Sequence, residues 1–126
     1  MSVVLGASAL LAYFQQEPGH VKVAALLPGA KVGCVNAAEV ISKFADAGVP
    51  QSKARQLFDS TGVEFVAFDE AQAWMSGELR PLTMSRGLSL GDRACLALAM
   101  STGVAAVTAD GTWADLGLPV KIEVIR

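Results

Sequence analysis

The sequence contains few of the residues that build disulfide frameworks and zinc clusters. Its 126 residues include two cysteines, Cys34 and Cys95, and one histidine, His20. Each cysteine stands in an apolar run without a neighbouring Cys or His, which excludes the ligand spacing of a structural metal site. We therefore expect both cysteines to be reduced and buried in the core, and His20 to lie in an exposed loop.

Positive charge is also scarce. The chain has 10 Lys and Arg against 12 Asp and Glu, a formal net charge of -2. A protein that holds nucleic acid through a broad basic surface needs many cations on one face. Any contact with nucleic acid is therefore expected to be local.

Membrane segments and nucleotide-binding loops are missing as well. Residues 3–14 carry no charge, but this run is shorter than the ~20 residues of a spanning helix, and no Lys or Arg precedes it as in a secretory signal. There is no Walker loop, no Gly-x-Gly-x-x-Gly after a strand and no Gly-x-Ser-x-Gly elbow. We expect a cytoplasmic protein with no membrane partner and no nucleotide cofactor.

Apolar residues, in contrast, are abundant and make up 52% of the chain. They occur in short runs, some with the spacing of a strand and some with that of a helix. The patterns predict strands at residues 3–5, 31–35, 63–68, 104–107 and 121–125, and helices at 7–16, 21–27, 36–47, 50–60, 70–79 and 91–101, with a helical turn at 111–116. This alternation predicts an α/β fold with a mostly parallel central sheet of about four to five strands and helices on both faces. Residues 1–126 are expected to form a single domain.

Three acidic residues, Glu39, Asp92 and Asp110, lie close after predicted strands or open a predicted helix. Because a parallel sheet gathers the carboxyl ends of its strands at one edge, these acids could converge on one crevice.

Each acid also has a purely structural interpretation as a helix cap. Asn36 with Glu39, and Ser89 with Asp92, have the spacing of a capping box, and Asp110 can cap the turn that follows it. Asp69 occupies a similar position after a strand and is interpreted as a cap alone.

The chain resembles the PIN domain family, and more narrowly the VapC-type ribonuclease toxins of type II toxin-antitoxin pairs. The resemblance covers essentially the whole length and rests on four segments in a fixed order: residues 3–10 (VVLGASAL), 36–40 (NAAEV), 88–94 (LSLGDRA) and 108–110 (TAD). It implies a PIN-like three-layer sandwich with a four-acid site that cleaves RNA. Glu39, Asp92 and Asp110 match the second, third and fourth carboxylates. Clustered carboxylates repel one another, so the site implies a hard cation, Mg²⁺ or Mn²⁺, that activates a water.

Gly6 stands where the resemblance implies the first aspartate. The family pattern there is Asp, a small residue, then Ser or Thr, and this chain has Gly6, Ala7 and Ser8. Loss of a ligand predicts a catalytically impaired protein, either a variant of an active enzyme or a non-catalytic module that binds RNA or an antitoxin peptide. A strained turn that requires glycine is the structural alternative.

Further residues are implied around the acids. Ser8, Thr108, Asn36 and Asp115 are candidates for holding the carboxylates or waters in place, although the hydroxyls could be satisfied by backbone and Asp115 could lie on the surface. Arg86 and Arg93 flank Asp92 and could bind RNA phosphates or act as structural partners. The resemblance also implies a VapB-like antitoxin, whose C-terminal segment binds a groove on the toxin, and a toxin homodimer.

Overall fold

The computed structural model describes residues 2–126, and its short apolar runs form one parallel sheet. The strands are β1 (Val3–Leu5), β2 (Lys31–Gly33), β3 (Glu64–Val66), β4 (Ala105–Thr108) and β5 (Ile122–Val124), in the order β3-β2-β1-β4-β5. Every neighbouring pair is parallel. The predicted mostly parallel sheet is therefore confirmed.

Helices cover both faces of this sheet. They are α1 (Ala7–Gln15), α2 (His20–Leu26), α3 (Cys34–Asp46), α4 (Gln51–Thr61), α5 (Glu70–Glu78), α6 (Arg80–Thr83) and α7 (Leu90–Thr102), with 3-10 turns at Met84–Arg86 and Gly111–Trp113. Side chains alternate along β1, so Val3 and Leu5 enter one apolar core with α1 to α4. Val4 enters a second core with α7 and Trp113. The result is the predicted three-layer arrangement.

Several sequence-based expectations about local structure are wrong, at the start of α3 and at the start of α2. This helix begins at Cys34, two residues earlier than predicted, because the apolar residues after Gly33 start a helix and do not extend β2. Short apolar runs look alike at a strand end and at a buried helix start. Cys34 is consequently exposed, and only Cys95 is buried as expected. His20 is half-buried and opens α2; it does not lie in a loop.

Other helix boundaries agree with the sequence patterns to within a residue or two. Asp69 caps α5 by accepting a bond from the backbone amide of Gln72 at 2.9 Å, as predicted. Pro81 does not stop the chain from being helical; it sits in the first turn of the short helix α6, where a missing amide hydrogen costs little. No helix within residues 2–126 has both the length and the apolar character needed to cross a membrane.

Candidate active site

Gly6 lies where the strand order of the sheet changes direction. β1 is the central strand, with β2 on one side and β4 on the other. Gly6 follows β1 directly, and its amide donates to the carbonyl of Val107 at 2.9 Å. In open parallel sheets the crevice beyond the strand ends at such a switch point is where ligands bind. Gly6 therefore occupies the centre of the candidate site.

The backbone at Gly6 does not require a glycine. Its φ of -74° and ψ of 165° are extended values that any residue adopts, so the strained-turn interpretation is wrong. A Cβ atom built there would lie 3.2 Å from the Val107 carbonyl oxygen, 3.5 Å from Cys95 Sγ and 3.8 Å from Trp113 Cη2. A Cβ there would require the Val107 carbonyl oxygen, a backbone atom, to move by a few tenths of an ångström.

Two hydroxyl groups join the end of β1 to the end of β4. Ser8 Oγ accepts a bond from the amide of Ala109 at 2.9 Å and lies 3.2 Å from Thr108 Oγ1. Thr108 Oγ1 accepts a bond from the amide of Asp110 at 3.0 Å. The hydroxyls thus hold the turn that carries Asp110 against the first turn of α1.

Asp110 caps the 3-10 turn that follows β4. Its Oδ1 accepts bonds from the amide of Thr112 at 2.9 Å and from Thr112 Oγ1 at 2.8 Å. The predicted capping role is confirmed. It uses one carboxylate oxygen, and Oδ2 lies outside both bonds.

Asp92 belongs to a capping box at the start of α7. The amide of Ser89 donates to Asp92 Oδ2 at 2.9 Å, and the amide of Asp92 donates to Ser89 Oγ at 3.1 Å. Here too the cap uses one oxygen, and the carboxylate benefits from the positive end of the helix. Capping therefore leaves Asp92 and Asp110 each one carboxylate oxygen that could bind a metal ion.

Glu39, in contrast, is not part of a capping box. Because α3 starts at Cys34, Asn36 lies inside the first turn and its side chain makes no cap bond. Asn36 is 2% exposed, and its Nδ2 donates both to Glu39 Oε1 and to the carbonyl of Gly91, each at 3.0 Å. Asn36 therefore ties the Glu39 carboxylate to the start of α7.

The electrostatics place Glu39, Asp92 and Cys95 in one neighbourhood. Burial raises the pKa of the Glu39 carboxyl, the bond from Asn36 lowers it in part, and the charge of Asp92 raises it further. Burial raises the pKa of the Cys95 thiol to about 12, and the charges of Asp92 and Glu39 add to that shift. The thiol therefore stays protonated at neutral pH.

The raised pKa of Glu39 gives a testable pH dependence. A raised folded-state pKa contributes stability below the unfolded pKa, near 4.5, and this contribution is lost as the pH rises through the folded value. Glu39→Gln is therefore expected to raise the Tm near neutral pH and to leave it unchanged near pH 4. Thermal unfolding at both pH values checks this. Glu17→Gln is the contrast, because Glu17 faces Arg126 at 3.5 Å; an equal Tm gain for both variants would contradict the assignment.

The three acids do not yet form a metal cage. Within residues 2–126 no group of three or more His, Cys, Asp or Glu side chains is placed to hold one ion. The charge of Asp92 raises the pKa of Glu39, while Asp110 follows the end of β4. Gly6 follows β1, the strand between β2 and β4. The donors are hard oxygens of the kind that Mg²⁺ and Mn²⁺ prefer, but the three carboxylates are not grouped closely enough to hold one ion.

Arg86 joins the two loops that carry the aspartates. Its Nη1 donates to the carbonyl of Thr112 at 2.9 Å and its Nη2 donates to the carbonyl of Asp115 at 3.0 Å. The side chain of Asp115 is exposed. The RNA contact of Arg86 stays a prediction; in this geometry its guanidinium supports the turn after Asp110.

Arg93 points into the protein. It is 7% exposed, and its Nη1 donates to the carbonyl of Ser76 in α5 at 2.9 Å. This position opposes the predicted contact with RNA phosphates. Arg93 instead joins α7 to α5, the structural alternative, although its partner is a carbonyl and not one of the acids.

Sequence reasoning missed two members of the site. Trp113, 2% exposed, packs beside Gly6 and Cys95, and Gly91 lies directly against the Glu39 carboxylate. A glycine in the first turn of an otherwise strong helix was the available signal for Gly91, since it costs helix stability and usually has a packing reason. Nothing in the pattern around Trp113 distinguished it from any apolar residue.

Comparisons with known proteins agree with the fold. Residues 3–118 match a family model described as "PIN domain". Similar solved structures include a toxin-antitoxin complex from Klebsiella pneumoniae (TM-score 0.74, 19% identity, covering 93% of this chain and 92% of that one). Another is the DNA-bound VapBC of Salmonella typhimurium (TM-score 0.77, 14% identity, 100% and 99%). A third is a sarcin-ricin loop cleaving VapC toxin of Mycobacterium tuberculosis (TM-score 0.73, 16% identity, 98% and 99%). A comparison with curated proteins gave no significant match.

Proposed function

Because the chain belongs to the PIN domain family, we propose that it is a VapC-type ribonuclease toxin of a toxin-antitoxin pair, acting in the cytoplasm as one domain. The observation that carries the proposal is the match of residues 3–118 to the PIN domain model. The Glu39 carboxylate, which lies against Gly91 next to Asp92, supports it. The structurally similar toxin from Mycobacterium tuberculosis cleaves the sarcin-ricin loop, which supports RNA as the class of substrate here.

We propose that Mg²⁺ or Mn²⁺ is held by Asp92, Asp110 and Glu39. Asp92 and Asp110 each have one carboxylate oxygen outside their caps. When bound, the ion supplies positive charge for the phosphate and lowers the pKa of a water. Carboxylates alone would repel the phosphodiester that they must approach.

The chain's own residues would orient the reaction. Asn36 donates to Glu39 Oε1, which would hold the carboxylate in one orientation toward the ion or toward the attacking water. Ser8 and Thr108 keep the Asp110 turn in place through their backbone bonds.

We propose that the lack of a carboxylate at Gly6 makes this protein catalytically impaired. The charge of Asp92 raises the pKa of the Glu39 carboxyl, and keeping two repelling carboxylates together has little structural benefit, which favours a variant of an active enzyme. The second candidate function, a non-catalytic module that binds RNA or an antitoxin peptide, is favoured by Gly6 itself.

We further propose a VapB-like antitoxin and a homodimer as partners. The similar structures from Klebsiella pneumoniae and Salmonella typhimurium are toxin-antitoxin assemblies. Co-expression with an antitoxin encoded beside the toxin tests the first partner, and light scattering of the purified chain tests the second.

The deciding experiment compares the parent protein, which carries Gly6, with its Gly6→Asp variant. We expect Mg²⁺- or Mn²⁺-dependent RNA cleavage and growth arrest on expression from Gly6→Asp, and little of either from the parent. Asp110→Asn in the Gly6→Asp background is the control and should abolish cleavage. A Gly6→Asp protein that stays inert across a broad RNA panel would overturn the enzyme proposal in favour of the binding module.

A further inference from the structure

The carboxylate of Glu39 occupies the space where a side chain of Gly91 would begin. A Cβ atom built on Gly91 would lie 2.6 Å from Glu39 Oε2 and 2.7 Å from Cδ, closer than real Cβ contacts. Gly91 is the second residue of α7 and precedes Asp92. The carboxylate therefore lies flat against the first turn of that helix, beside Asp92.

The backbone of Gly91 does not need a glycine. It is helical and is not among the glycines with positive φ, so an alanine would be preferred there for helix stability. The residue is small for reasons of space, and the group that uses the space is the Glu39 carboxylate.

Asn36 completes this arrangement. Its Nδ2 donates to Glu39 Oε1 and to the carbonyl of Gly91, so one buried amide fixes the distance between α3 and α7. Its Oδ1 has no partner among the residues that the structure describes.

We propose that Gly91 is a positioning residue, which by lacking a side chain lets the Glu39 carboxylate lie beside Asp92 at the candidate metal site. The effect of Gly91 on catalysis rests on the proposed function. The contact between Gly91 and the Glu39 carboxylate, however, is present in the metal-free chain. Gly91 contacts no reacting atom; it acts through Glu39.

An added methyl group should move the carboxylate without unfolding the protein. The atoms in its way are the far end of a flexible side chain, and Glu39 is exposed to solvent. The carboxylate can swing outward at little cost. Asn36 then loses one acceptor, and Glu39 leaves its neighbour Asp92.

The first test uses the metal-free parent chain and the side-chain amide signals of Asn36 in NMR. Gly91→Ala is expected to shift these signals and to accelerate their hydrogen exchange. Gly77→Ala is the matched control, because Gly77 is helical and a Cβ there meets nothing within 4 Å. Unchanged Asn36 signals in a folded Gly91→Ala protein would overturn the proposal.

The second test measures Mn²⁺ affinity by calorimetry in the Gly6→Asp background. Gly91→Ala should weaken binding by about 10- to 100-fold, the usual effect of losing a residue that orients a ligand, and Gly77→Ala should not. In a Glu39→Ala background the effect of Gly91→Ala should disappear; a loss that persists there would show that Gly91 does not act through Glu39. If Gly6→Asp itself binds no Mn²⁺, the proposed function fails. The NMR experiment still tests whether Gly91 positions the Glu39 carboxylate.

Discussion

Gly6→Asp is expected to raise the affinity for Mn²⁺ by about 100-fold or more, since even residues that only orient a ligand contribute about 10- to 100-fold. The substitution adds a carboxylate at the end of β1, in the crevice where we propose that Glu39, Asp92 and Asp110 bind the ion. Calorimetric titration of Mn²⁺ into the parent and the variant measures the gain directly.

The local geometry allows this substitution. The φ and ψ of Gly6 suit an aspartate, and the tightest contact of the new Cβ, with the Val107 carbonyl oxygen, is 3.2 Å. A shift of a few tenths of an ångström relieves it. Without metal the added charge repels the other acids, so the Tm of the apo variant should fall and Mn²⁺ should restore it.

Gly6→Asn is the matched control for this prediction. It places the same Cβ against Val107, Cys95 and Trp113 but adds no charge. Equal Mn²⁺ affinity in the Asn and Asp variants would show that packing and not a carboxylate was missing. Equal affinity in the parent and Gly6→Asp would show that the four-acid assignment is wrong.

Trp113→Ala is expected to lower the free energy of unfolding by about 3–5 kcal/mol. Trp113 is 2% exposed and belongs to the core that contains α7 and Val4. Its loss leaves a cavity directly beneath Gly6. Typical domains have only about 5–15 kcal/mol of stability, so this change removes a large share. Equilibrium unfolding in urea measures it.

The same residue offers a finer comparison. Trp113 Nε1 is buried without a partner among residues 2–126, and an unpaired buried donor costs about 1–3 kcal/mol. Trp113→Phe removes that donor and part of the volume, so its loss should be less than half that of alanine. Trp74, 66% exposed, is the control; a Trp74→Ala loss as large as that of Trp113→Ala would contradict this account of the core.

The sequence predicted the layers of the fold better than the contacts within the site. Alternating strand and helix periods identified all five strands, because burial of one or both faces imposes those periods. The capping roles of Asp92 and Asp110 were readable for a similar reason, since a cap and its partner lie a few residues apart.

Contacts between distant segments were not readable in this way. The pairing of Asn36 with Gly91 and the burial of Arg93 against Ser76 depend on how α3, α5 and α7 pack. Asn36 and Glu39 had the spacing of a capping box, but α3 starts earlier than predicted, and both residues contact Gly91 of α7 instead. The whole-chain resemblance predicted a site role for the acids, but it could not predict which residues contact them.

The hydroxyl contact between Ser8 and Thr108 joins residues that are 100 positions apart. β1 cannot pair with β4 until Ala105–Thr108 has been synthesised, and pairings of such long range form slowly. During synthesis a ribosome would therefore have to release residues through Asp110 before the crevice could exist. For a protein that we propose to cleave RNA, this topology delays formation of the crevice until residues through Asp110 have left the ribosome.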